Sequence, residues 1–306
     1  MRSNCSTERP EPNPHRSQTE DTQRDTGRGP GRLSIVSLGP GYRSYMVPEA
    51  LDALVAAEVI LGYKTYLGLI DELLEGKEVL SSGMRKEVDR CALAIDRALA
   101  GRRVALVSSG DAGIYGMAGL VFDICRERAL RVASPGGVRH SMEDESIASV
   151  DGVNASAPDL FVEVIPGVAA FNAAASILGA PLMHDFAVVS LSDPLTPWDL
   201  IEKRLQAAAS ADFVMAIYNP RSKTRPDLLE KAQKVLLREK APETPVAILR
   251  KAMRDGQWKC LTTLGEIPFE EVDMQSILIV GNSKTYVWNG WMVTPRGYLD
   301  KYTLAE

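Results

Sequence analysis

Three short turns hold the residues best placed to do chemistry in this sequence: Gly39-Pro40-Gly41, Ser109-Gly110-Asp111-Ala112-Gly113 and Pro166-Gly167. Each follows an apolar run, at Leu33–Leu38, Arg103–Ser108 and Phe161–Ile165. Glycine has no Cβ, so a ligand can lie directly against the main chain at such turns. Asp111 adds a carboxylate among small neighbours. It is suited to face an amine or a hydroxyl of a ligand, and equally to bond its own backbone, as turn aspartates do. Tyr218-Asn219-Pro220-Arg221 follows another apolar run and reads as a strand end with its turn.

Several other chemistries are disfavoured. A dinucleotide site wants GxGxxG and an acidic residue about twenty positions on. Here Gly39-Pro40-Gly41-Tyr42-Arg43 lacks that spacing, and the second strand ends in Leu61-Gly62-Tyr63 without a carboxylate. No GxxxxGK[ST] phosphate loop is present. The three histidines (His15, His140, His184) are scattered and no HExxH occurs, so no metal is expected. The four cysteines lie far apart without a CxxC, which fits free thiols in a reducing cytoplasm. A net charge of −5 argues against a nucleic-acid partner. Residues 1–32 lack the apolar core of a signal peptide. Val164–Met183 is uncharged over a membrane-like length. Pro166-Gly167, Asn172, Gly179 and Pro181 interrupt it, so it reads as strand, turn and buried helix.

The turns need a scaffold, and the pattern supplies an α/β one. A short β-branched run, a glycine turn and then a helix is how a parallel sheet builds a binding edge at its carboxyl ends. Pro48 marks a first helical turn after the opening glycines. Leu51, Leu54 and Val55 continue that helix, and Tyr66, Leu69, Ile70 and Leu73 mark another. A further strand is expected at Glu58–Leu61 and a short one at Val79-Leu80. The turn at 109–113 is expected to run into a helix from Ile114. If the three strands are parallel neighbours, all three turns share one edge of the sheet. Beyond Ala180, strands are expected at Phe186–Leu191, Phe213–Tyr218, Val246–Leu249, Trp258–Thr263 and Ile277–Val280, with helices at 197–209 and 225–239. The alternation of Trp258–Thr263 points to antiparallel pairing. The expected fold is therefore α/β in two domains. A disordered tail (1–31) precedes a parallel-sheet domain over 32–179, and a mixed-sheet domain follows over 180–306. Residues 134–159, polar and rich in Gly, Ser and acidic residues, are expected to be a flexible insertion.

The motifs taken together resemble the tetrapyrrole methylases, enzymes dependent on S-adenosylmethionine (SAM). The resemblance runs from Leu33 to Tyr298, outside the insertion. It is carried by the GPG turn, SSGDAGIYGMAG, EVIPGVAA, IYNPRS (217–222), ILRKAMRDGQW (248–258), TTLGEI (262–267) and IVGNSKTY (279–286). SSGMRKEVDR, SSGDAGIYG, IYNPRS and VTPRGY are most similar to the branch that methylates carbon 17 of precorrin-3B or cobalt-factor III on the way to cobalamin, with contraction of the ring. Two positions depart from the family pattern. Val47 stands where a threonine is usual, and Ala169 where Thr or Ser is common.

The resemblance implies that SAM lies in a cleft between the domains. It implies contacts from Gly39, Pro40, Gly41, Ser109, Gly110, Asp111, Ile114, Ala169, Ala170, Tyr218, Asn219 and Ala252. The implied substrate is a macrocycle bearing many carboxylates, which arginine can engage bidentately. Arg85 and Arg221 rank first for that role because both follow turns of the ligand edge. Lys86, Lys223, Arg225, Arg250 and Arg254 are further candidates. Asp111 and Lys86 are the candidates for proton transfer. A homodimer is expected by analogy with the family. Two alternatives stay open at this point: a methylase of the same fold with another substrate (another precorrin, uroporphyrinogen, diphthamide or ribosomal RNA), and a non-catalytic SAM-binding protein.

Overall fold

The run at 33–38 becomes β1 (Gly31–Ser37), and its side chains alternate between two cores. Leu33 and Ile35 face one way, Val36 and Leu38 the other, as a period of two requires. The structure is a computed structural model describing residues 29–83, 86–135, 157–222 and 224–302. Most of the expected tail and most of the expected insertion lie outside the described residues.

Around β1 stand β2 (Val59–Tyr63), β3 (Glu78–Ser82), β4 (Arg103–Ser108), β5 (Val132–Ala133) and β6 (Leu160–Ile165), in the order β3-β2-β4-β1-β6-β5. Every pairing in this sheet is parallel. Helices α1 (Pro48–Ala56) and α2 (Lys64–Leu67) cover one face; α3 (Glu87–Leu99) and α4 (Ala118–Glu127) cover the other. Both faces are thus buried, which explains why the strands read as continuous apolar runs. Cys91 and Cys125 belong to the α3/α4 core, and burial pushes the Cys91 thiol up to about 11.

After α5 (Ala170–Leu178) and β7 (Gly179–Ala180) comes the second sheet. Its elements are β8 (Phe186–Ser190), α6 (Trp198–Ser210), β9 (Val214–Tyr218), α7 (Leu228–Leu236), β10 (Pro245–Arg250), β11 (Trp258–Thr263) and β12 (Ser276–Val280). The order is β11-β10-β12-β9-β8. Only β8 and β9 pair in parallel; the others are antiparallel, including β11 as its alternation foretold. Helices α6 and α7 pack on one face of this sheet, while α5 packs on the other against Val214, Ala216, Ala247 and Ile279. A hairpin of β13 (Tyr286–Trp288) and β14 (Trp291–Val293) joins β7 in a third, small sheet.

Two helices differ from expectation. The helix expected from Ile114 begins at Ala118, because Tyr115 takes a left-handed backbone (φ 53°) that no α-helix accepts. The helix through Tyr66 and Leu73 is broken into α2 and a single 3₁₀ turn at Asp71–Leu73. Within the described residues, no helix is long and apolar enough to cross a membrane. Val164–Met183 is the end of β6, a turn, α5 and the start of the next segment.

The departures at 47 and 169 acquire a physical meaning here. Val47 is the N-cap of α1 and Ala169 the N-cap of α5, and neither side chain caps its helix. A hydroxyl at an N-cap accepts a backbone N–H and contributes about 0.5–2 kcal/mol. Val47→Thr is therefore expected to raise the melting temperature. An unchanged or lower value would mean that the apolar contacts of Val47 in the α1 core outweigh the missing cap.

Candidate functional site

Because β1 lies between β4 and β6, the three glycine turns emerge side by side. They are stitched together by backbone bonds. Gly39 N–H donates to Gly110 O (3.0 Å) and Gly110 N–H to Gly39 O (2.8 Å). The buried Ser37 hydroxyl accepts the N–H of Ala112 (2.8 Å). Gly39 and Gly110 both hold positive φ (57° and 69°), which glycine adopts without steric cost. The third turn closes on the other two at Gly167. A Cβ there would stand 2.6 Å from Gly110 O and 2.6 Å from Ser37 Cβ.

Asp111 joins the second turn to the third. One carboxylate oxygen accepts the N–H of Gly113 (2.8 Å) and the other the N–H of Gly167 (3.0 Å). The turn-capping role is therefore present. A second role, as a staple between residues 56 positions apart, joins it.

These turns form one wall of a cleft of about 700 Å³, within the range of small-ligand sites. Its other wall comes from the second sheet: Tyr218 and Asn219 at the end of β9, Lys251, Ala252 and Arg254 after β10, and Met274–Ile277 leading into β12. Of the residues implied for SAM, all but Gly41 and Ala169 line this cleft. Ala169 is buried behind it as the cap of α5. Tyr218 reaches back across the cleft floor, its hydroxyl accepting the N–H of Phe171 (3.1 Å). Its ring packs on Tyr115 at 5.2 Å, and Tyr115 in turn donates to Val188 O (3.0 Å). Burial raises the pKa of both phenols, so they stay neutral. Asn219 holds a left-handed backbone (φ 53°) and donates from its amide to Ser190 Oγ (2.9 Å). Left-handed non-glycine residues thus gather around the cleft at Tyr115, Asn219, Lys251 and Met253, as strained backbone tends to do at functional sites.

Gly41 lies outside the cleft lining, in the packing of the first turn. It is buried at φ 117°, and a Cβ there would strike Leu69 Cδ1 at 2.6 Å. Gly41→Val is expected to cost about 1–3 kcal/mol through overpacking and backbone strain, seen as a lower melting temperature. Loss of ligand binding with an unchanged melting temperature would instead restore direct contact.

Most of the expected basic residues are directed elsewhere. The Arg221 guanidinium donates to the Phe269 carbonyl and to Glu270 (3.3 Å), outside the cleft lining. Arg225 pairs with Asp193, and Arg250 stacks over Trp258 at 5.2 Å. Lys86 is exposed and paired with Asp89 (3.1 Å), outside the cleft lining. Arg85 and Lys223 lie outside the described residues. Arg254 does line the cleft. Sequence reasoning missed Tyr63, the last residue of β2, and Thr65 and Tyr66 in α2, on the same sheet edge. The available signal was positional, since β2 is the parallel neighbour of β4. Nothing in the residues Met274–Ile277 announced their place.

Comparison with known proteins agrees with this geometry. Residues 32–135 and 146–268 match the family described as Tetrapyrrole (Corrin/Porphyrin) Methylases. A probable cobalt-factor III C(17)-methyltransferase of Salmonella typhimurium is 48% identical over 266 residues, covering 87% of this chain and 99% of that one. A precorrin-3B C(17)-methyltransferase from Sinorhizobium sp is 35% identical, covering 84% and 91%. The crystal structure of the methyltransferase CobJ superposes with a TM-score of 0.73 at 34% identity, covering 87% of this chain and all of that one. With the parallel sheet, its stitched glycine turns and the opposing mixed sheet in place, the chain belongs to the tetrapyrrole methylases.

Proposed function

We propose that this protein transfers a methyl group from SAM to carbon 17 of a corrin-pathway macrocycle, with the accompanying ring contraction. Cobalt-factor III is the substrate favoured, because the relative named for it is 48% identical and the one named for precorrin-3B 35%. The observation that carries the reading is the convergence of the three glycine turns and the β9 and β10 ends on one cleft.

The residues present fit SAM. The turn at Ser109, with no side chain on its Gly39 and Gly110 neighbours to block a close approach, suits its amino-acid end, and Tyr218, Ile114 and Ala170 offer apolar surface for an adenosine. When bound, SAM supplies an electrophilic methyl group on a sulfonium. What the chain contributes is orientation: two ligands held on fixed backbone turns react without first losing their freedom of motion. Asp111 accepts two N–H groups and so holds the turns in register, whichever group moves a proton. A homodimer in the cytoplasm is part of the proposal, carried by family analogy and the free thiols.

The test is incubation of the protein with SAM and, separately, cobalt-factor III and precorrin-3B. The expected result is a product heavier by one methyl group, formed faster from the cobalt substrate. Faster turnover of precorrin-3B would reverse the substrate choice. No methylation of either, with SAM binding intact, would favour a non-catalytic SAM-binding protein.

A further inference from the structure

Arg254 hangs from the second sheet yet bonds to the first. Its Nε donates to the carbonyl of Pro40 and its Nη2 to Ser109 Oγ, on two of the three glycine turns. The loop that carries it is held in an unusual shape. Lys251 and Met253 both take left-handed backbone (φ 52° and 56°), which side-chain-bearing residues adopt only when the surroundings enforce it. Met253 N–H donates to Gln257 Oε1 (2.8 Å) and Lys251 N–H to Gln275 O (3.2 Å), fixing the loop. Beside it a second bond crosses between the lobes, from the Tyr42 hydroxyl to Asp255 Oδ1 (2.6 Å).

Among the described residues the guanidinium has no counterion. Both of its acceptors are neutral oxygens, and no carboxylate pairs with it among the described residues. Arg221 and Arg225, by contrast, each have an acidic partner. Burial also pushes the Arg254 guanidinium below its usual range. Arginine carries five N–H donors, and among the described residues two are taken. A partly desolvated cation with spare donors, lining a cleft, is suited to an anion that arrives with the ligand. The planar fork favours a carboxylate.

We infer that Arg254 is the carboxylate receptor of the cleft, and that it ties ligand binding to the contact between the two lobes. The inference rests on the function proposed above, which offers two sources of that carboxylate: the amino-acid end of SAM and the rim of the macrocycle. Pro40 and Ser109 hold the guanidinium in place, and its remaining donors take the ligand.

The test compares Arg254→Gln and Arg254→Lys with Tyr42→Phe, which removes the other inter-lobe bond and keeps the guanidinium. Each variant, after a melting curve to check folding, is titrated with S-adenosylhomocysteine, with 5′-methylthioadenosine (the same nucleoside without a carboxylate), and with cobalt-factor III and its methyl ester. Loss of one charge-assisted contact is expected to weaken binding about tenfold or more. Weakened S-adenosylhomocysteine with unchanged methylthioadenosine assigns the carboxylate to SAM. Weakened macrocycle with an unchanged ester assigns it to the macrocycle. Arg254→Lys is expected to lose nearly as much as Arg254→Gln, since it keeps the charge and loses the fork. If the carboxylate-free ligands weaken as much as their parents, as they would on loosening a structural clasp shared with Tyr42→Phe, the inference is overturned. If wild-type protein binds S-adenosylhomocysteine and the Arg254 variants bind every ligand equally well, this inference alone fails. If wild-type protein binds neither ligand class, the proposed function fails with it.

Discussion

Gly167→Ala is expected to remove most SAM and S-adenosylhomocysteine binding while leaving both sheets folded. The added methyl has nowhere to go. Its Cβ would sit 2.6 Å from Gly110 O, 2.6 Å from Ser37 Cβ and 3.2 Å from Gly39 N. Two of these are backbone atoms, and the third belongs to a serine whose hydroxyl already holds Ala112. Neither kind can swing aside as a flexible side-chain end would. Relief must come from the third turn moving away from the other two, which breaks the Gly167 N–H bond to Asp111. Overpacking of this kind costs about 1–3 kcal/mol, and here that cost falls on the wall of the cleft. The expected readout is a modest fall in melting temperature with a loss of affinity on the order of tenfold to a hundredfold, the same free energy expressed as binding. Calorimetry showing wild-type affinity would mean that the third turn takes no part in the site.

Asp111→Asn is expected to weaken SAM and S-adenosylhomocysteine alike. From sequence alone this swap looks harmless to the fold, because Asn keeps the shape and turn preference of Asp. The structure changes that expectation. Both carboxylate oxygens accept backbone N–H groups, from Gly113 and Gly167. Asparagine has one carbonyl oxygen, so its NH₂ must face one of those donors. Losing that bond and setting two donors together should cost about 1–3 kcal/mol. The melting temperature should fall, and both ligands should lose affinity through the displaced turn. A larger loss for SAM than for S-adenosylhomocysteine would show instead that the carboxylate faces the sulfonium. Unchanged affinities together with an unchanged melting temperature would remove Asp111 from the site and its support.

What could be read from the sequence was what depends on neighbours along the chain. The strands at 33–37, 103–108, 214–218 and 258–263 follow from apolar runs and alternation, which record burial on one face or two. Pro48 opens α1, where its missing N–H leaves no bond unmade. The glycine turns marked where a side chain would not stand in the way of a close approach to the main chain. The tertiary structure decided whatever depends on residues far apart. It set β1 between β4 and β6, so that three turns became one site. It gave Asp111 a partner 56 residues away, which no local pattern records. It also turned Arg221 toward residues 269–270 and brought Arg254 to the cleft, although Arg221 follows the more conspicuous turn. A long side chain reaches whatever its backbone aims it at. At Arg254 that aim is set by left-handed residues which local propensity disfavours and only the surrounding packing enforces. Local physics wrote the strands and turns into the sequence, and long-range contacts chose which side chains line the cleft.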